Sequence, residues 1–153
     1  MTDNIRSSVY FGLQIGERLV SLAFPEWAKA SRKLSHDFMT KDGKTVNVKA
    51  SCSLYGANRQ WSFHKEIFGS NPIEPNLCLL LAFDNITDLN LINAWMIAFK
   101  DCPTYMSPIS FEKWRTYEID LQLFKGPMNM IRREHLRAID AYQAKGYINP
   151  IQS

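Results

Sequence analysis

Residues 35–51 read Ser-His-Asp-Phe-Met-Thr-Lys-Asp-Gly-Lys-Thr-Val-Asn-Val-Lys-Ala-Ser, and the architecture turns on them. Lys41-Asp42-Gly43-Lys44 is a turn, because Asp-Gly is the strongest short hairpin signal. Ser35–Phe38 before it is expected to be a short extended piece. Thr45–Ser51 after it alternates as a strand does, with Val46 and Val48 on one face and Asn47 and Lys49 on the other.

Downstream, residues 54–60 form a loop and Trp61–Lys65 alternates again as a third strand. Asn71–Pro75 is a second loop. Asn76–Asp84 is almost continuously apolar, as expected of a central strand covered on both faces, and Asn93–Phe99 is its expected neighbour. Residues 103–127 read as irregular, closing on a Gly126-Pro127 break. A C-terminal helix follows over Asn129–Lys145, with Ile131, His135, Ala138, Ile139 and Tyr142 on one side and Gly146 as its stop. Upstream, Val9, Leu13, Leu19, Val20 and Phe24 give residues 8–24 a helical period that Pro25 ends. Helix, strands, helix predicts an α/β domain with a mixed central β-sheet flanked by helices.

The 153 residues suffice for one domain with a real core and not for two. With 46% hydrophobic and 22% charged residues, composition excludes a disordered chain. No apolar run approaches the ~20 residues of a membrane helix, and the N-terminus carries no signal-peptide pattern. Cys52, Cys78 and Cys102 form no CxxC pair, so they are expected to be free thiols in a reducing, cytoplasmic compartment. The net charge of +3 is concentrated in Lys29, Arg32, Lys33, Lys41, Lys44 and Lys49, opposed there only by Asp37 and Asp42. Such a cluster suits a polyanion, and equally a solvated cationic face.

Pairing Ser35–Thr40 with Thr45–Ser51 would bring Asp37 near Asn47 at one end of the hairpin, within reach of Glu17 from the first helix. Two carboxylates, an amide and an ammonium would then converge. Hard oxygen ligands of this kind hold Mg²⁺, which polarises phosphate and activates water. A neighbouring lysine steadies the attacking water or the charged transition state. The bland alternative is a set of ordinary turn and surface residues.

Asp37, the turn, and Asn47-Val48-Lys49-Ala50-Ser51 together resemble the core of the PD-(D/E)XK nuclease superfamily, the restriction-endonuclease-like enzymes that include junction resolvases and some homing endonucleases. Gly16-Glu17-Arg18-Leu19-Val20 resembles their first helix, and Trp61-Ser62-Phe63 and Leu77–Asp84 their later strands. The resemblance implies a single nuclease-like domain over 1–153, with its core at about 8–100 and its last helix at about 129–145. It implies a Mg²⁺-dependent (or Mn²⁺-dependent) endonuclease acting on double-stranded DNA. Glu17, Asp37, Asn47 and the Val48 carbonyl would be metal ligands, with Lys49 beside them as the catalytic lysine. Cutting both strands needs two sites, so a homodimer or higher homo-oligomer is expected.

The second acidic position of the pattern holds Asn47, an amide without charge. Three readings stay open: an enzyme that tolerates asparagine, a non-catalytic nucleic-acid-binding or assembly module on the same fold, and an Asp→Asn change that disables a nuclease. Candidate DNA contacts are Lys33, Lys41, Lys44, Ser51, Ser53, Arg59, Gln60 and His64, each with the alternative of ordinary surface or strand polarity. His36 and the indoles of Trp61, Trp95 and Trp114 read first as structural. Arg132, Arg133 and Arg137 can meet phosphates or simply line a solvated face broken by Glu134 and Asp140. No GxGxxG, Walker lysine loop or Gly-x-Ser-x-Gly elbow is present.

Overall fold

A computed structural model describes residues 15–30, 37–52, 61–63 and 74–144. The elements run α1 (Arg18–Ala23), β1 (Ala28–Lys29), β2 (Phe38–Met39), β3 (Thr45–Cys52), β4 (Trp61–Ser62), β5 (Leu77–Phe83), β6 (Leu91–Ala98), β7 (Tyr105–Met106) and α2 (Lys125–Ala144), with short 3-10 turns between β6 and α2. The central sheet has five strands in the order β1-β2-β3-β5-β6. Only β3 and β5 pair in parallel; the other neighbours are antiparallel. The domain is thus α/β with a mixed sheet.

The Asp-Gly turn does what its chemistry dictates. Gly43 has φ 87°, a conformation that glycine adopts without a Cβ penalty. Around it the Thr40 N–H donates to the Lys44 carbonyl at 2.9 Å and the Gly43 N–H to the Thr40 carbonyl at 3.0 Å. β3 then alternates as its sequence demands. Val46 and Val48 join Leu79, Leu81 and Phe83 under Leu19 and Val20 of α1 and Met128, Ile131 and Ile139 of α2. The other face of β5, Cys78, Leu80 and Ala82, packs with Trp61, Phe63, Trp95, Ile97 and Met106. The continuous apolar run of β5 is therefore buried on both faces, which is why it holds the centre.

The two described α-helices pack against one face of the sheet, and the two-stranded β4–β7 sheet and the Phe111–Trp114 segment pack against the other. Three expectations need correction. The third strand is outside the central sheet: Trp61 pairs with Met106 and Ser62 with Tyr105. Residues 103–127 are not wholly irregular, since they supply β7 and several 3-10 turns. Gly126-Pro127 does not break the chain but lies in the first turn of α2, where proline gives up an N–H that has no helical partner anyway. The first helix ends before Pro25, β3 and β5 fall where expected, β6 neighbours β5, and Ile131, His135 and Ile139 face inward from α2. Residues 8–14 of the expected first helix, Ser35, His36, the expected loop at 54–60, His64, Lys65, residues 71–73, Lys145 and Gly146 lie outside the described residues.

His135 ties α2 to the β5–β6 loop. It is buried in α2, and its Nε2–H donates to the carbonyl of Ile86 in the β5–β6 loop at 2.5 Å. Among the described residues no helix is long and apolar enough to cross a membrane.

Candidate functional site

The site is built by the unequal lengths of β2 and β3. β2 pairs for only two residues, Phe38 with Val46 and Met39 with Thr45, whereas β3 runs on to Cys52. Asp37 stands where β2 would have continued. Its N–H donates to the Val46 carbonyl at 2.8 Å and its carbonyl accepts the Ala30 N–H at 2.9 Å. Its Oδ2 accepts the Val48 N–H at 2.7 Å, so among the described residues the carboxylate does for this stretch of β3 what a longer β2 would do. A part-buried hydrogen bond to a charged acceptor is worth about 1.5–3 kcal/mol. The hairpin thereby holds Asp37 against the Asn47-Val48-Lys49 segment.

Asn47 and Lys49 project from the face of β3 opposite Val46 and Val48, level with Cys78 and Leu80 of β5. They are 3% and 9% exposed, the two buried polar side chains of the strand. β4 packs against this region. Lysine tolerates such a place because its stem buries along apolar surface. Ser51, half-buried, continues the same face, with its hydroxyl 3.5 Å from the Cys52 carbonyl.

Glu17 is the N-cap residue of α1, in the layer that packs on the Val46/Val48 face. The fold thus gathers Asp37, Asn47, Val48 and Lys49 at the end of the β2–β3 hairpin, with Glu17 at the start of α1. Lys41 and Lys44 are exposed on the hairpin turn. Between them the Thr40 hydroxyl donates to the Asp42 carboxylate, which holds that carboxyl below its usual range. Lys33, Ser53, Arg59, Gln60 and His64 lie outside the described residues.

The oxygen donors beside Lys49 are the Asp37 carboxylate, the Asn47 amide and the Val48 carbonyl. Their type suits a hard cation such as Mg²⁺, which keeps several waters, but they carry a single negative charge. Among the described residues no three His, Cys, Asp or Glu side chains come together as a metal-binding group. Sequence reasoning missed the bond from Asp37 to the Val48 N–H. Its signal is weak: an aspartate one residue before a very short strand whose partner strand is long.

Arg132 of α2 is turned inward, with Nη1 3.5 Å from Asn129 Oδ1 and Nη2 3.3 Å from Asn90 Oδ1. Arg133 and Arg137 on the same helix are exposed. The chain matches no family model, and no curated protein resembles it in sequence.

Proposed function

We propose that this chain is a metal-dependent DNA endonuclease domain of the PD-(D/E)XK type, in which the second acidic ligand is replaced by Asn47. One observation carries the reading: the Asp37 carboxylate is anchored on the Val48 N–H, directly between Asn47 and Lys49 on one strand. An aspartate at the end of one strand set against a polar-x-Lys segment of the next is the minimum this chemistry asks of a fold.

Asp37, Asn47 and the Val48 carbonyl would hold Mg²⁺ or Mn²⁺, with Glu17 as a further candidate ligand from α1. The ion, when bound, polarises the scissile phosphate and lowers the pKa of the water that attacks it. Lys49 would donate hydrogen bonds to the attacking water or to the phosphate oxygens as charge builds there. The anchored Asp37 stays in place without reorganisation, because its second bond is to rigid backbone. Lys41 and Lys44 on the exposed turn engage the duplex backbone and add affinity without sequence preference.

A second reading is a nucleic-acid-binding or assembly module on the same scaffold without catalysis. The uncharged amide and deep burial of Asn47 favour it. Incubating plasmid with Mg²⁺ or Mn²⁺ and either this chain or its Asn47→Asp variant separates the two. Cutting by the variant, with weak or absent cutting by the native chain, establishes a nuclease scaffold. Cutting by neither, with duplex still bound, establishes the binding module. Binding by neither overturns both.

A further inference from the structure

We propose that the cleft between the start of β6 and the first two turns of α2 is a second binding site, one that takes the phosphate group of a small phosphomonoester. The cleft encloses about 320 Å³. Arg132, Lys125, Asn129 and Gln122 form its polar wall, and Phe124 and Met128 its apolar floor. No Asp or Glu lines it. Phe124 and Met128 belong to the buried core under the helices, so the floor is firm.

Arg132 is the reason to assign an anion here. Arg18 and Arg115 each have a carboxylate partner: Arg18 meets Glu134 at 3.0 Å and Arg115 meets Glu112 at 2.8 Å. Among the described residues, Arg132 meets instead the neutral amide oxygens of Asn129 and Asn90, at 3.5 and 3.3 Å. Its Nε is buried and donates to nothing among the described residues. A half-buried guanidinium left with two long neutral bonds has donors to spare, and its planar fork matches two phosphate oxygens.

The guanidinium is also held in place. Asn90 donates through Nδ2 to Asp84 Oδ2 at 2.9 Å, which turns its Oδ1 toward Arg132. Lys125 supplies a second positive charge at the rim, and no acidic residue in the first turn of α2 offsets the positive end of the helix dipole. Cationic wall and apolar floor together suit a phosphate carried on a compact, partly apolar body. A free nucleotide offers that chemistry, and so does the phosphorylated end of a nucleic-acid strand. The cleft and the Asn47–Lys49 face lie on opposite sides of the central sheet, so the two sites stand or fall separately.

Calorimetric titration of the full chain at constant ionic strength tests the site, with inorganic phosphate, dAMP and deoxyadenosine as probes. The expectation is that dAMP binds at least about tenfold more tightly than deoxyadenosine, and that Arg132→Gln weakens dAMP by about tenfold or more. Lys125→Ala, at an exposed position, is expected to weaken it several-fold, and carries the test alone if Arg132→Gln does not fold. Equal binding of dAMP and deoxyadenosine overturns the proposal. So does dAMP binding that neither variant changes. Short duplexes with 5′-phosphate and 5′-hydroxyl ends resolve the source: competition with dAMP by the phosphorylated duplex alone assigns a strand end, and no competition assigns a free phosphomonoester.

Discussion

Asp37 and Val48 are joined by a 2.7 Å hydrogen bond from backbone amide to carboxylate, across a hairpin whose strands have already stopped pairing. The bond serves two ends. It satisfies an N–H that the short β2 leaves behind, and it fixes a carboxylate beside Asn47 and Lys49. A purely structural aspartate and a metal-binding one therefore occupy the same place, and they separate only by substitution.

Asp37→Ala is expected to lower unfolding free energy by about 1.5–3 kcal/mol, because it strands a part-buried N–H. Asp37→Asn retains an oxygen acceptor and is expected to cost less than half of that. Urea denaturation measures both. In the Asn47→Asp background, both are expected to abolish Mg²⁺-dependent nicking, although only the alanine variant is much less stable. Retained nicking by the asparagine variant would mean that Asp37 is a strand-edge device and nothing more.

Lys49 offers a second test. Its side chain is only 9% exposed and has interaction partners, so Lys49→Met is expected to lower stability by about 1–3 kcal/mol. In the Asn47→Asp background the same change is expected to reduce nicking by about a hundredfold or more. Thermal unfolding and a plasmid assay read the two effects independently.

Local chemistry made much of this fold legible. Asp42-Gly43 announced the hairpin, the alternation of Val46 to Lys49 assigned both faces of β3, and the unbroken apolar run of Leu77–Phe83 marked the strand buried on both sides. Counting across the turn also set Asp37 opposite Asn47. What escaped was non-local. The alternation of Trp61 to Phe63 reveals that a strand exists and not that its partner is Tyr105–Met106, over forty residues away. Gly126-Pro127 reads as punctuation unless one knows that the preceding 3-10 turn hands the chain straight into a helix. The grip of Asp37 on the Val48 N–H depends on where β2 ends, which is set by the path of the chain rather than by residue type.

Gly43 is expected to be replaceable by few residues. No neighbouring atom lies within 4 Å of where a Cβ would stand, so the cost of Gly43→Ala comes from its φ of 87° alone. That cost is about 1 kcal/mol or more, and Gly43→Asn, which tolerates left-handed backbone better, is expected to lose less. Denaturant midpoints with an unchanged m-value check both. Because the turn sets the register that brings Asp37 to Val48, the nicking activity of the Asn47→Asp background is expected to fall with stability in the alanine variant.

His135 is expected to make the domain sensitive to mild acid. Burial lowers its pKa below the ordinary 6.5, outweighing the opposing effect of its bond to the Ile86 carbonyl. The folded state therefore prefers the neutral ring, whereas the unfolded chain takes up its proton near pH 6.5. Between the two values the unfolded state binds more protons, so stability rises with pH across that window. The contribution is complete above the unfolded value and is lost as pH falls from about 6.5 toward the lowered folded value. Urea midpoints measured from pH 7.5 down to pH 5 are expected to decline with a slope that His135→Leu flattens. The same variant is expected to cost stability at pH 7.5, about 1–3 kcal/mol, through the unmade bond to Ile86. A slope that survives the substitution would assign the acid sensitivity to carboxylates elsewhere and leave His135 a simple clamp between α2 and the β5–β6 loop.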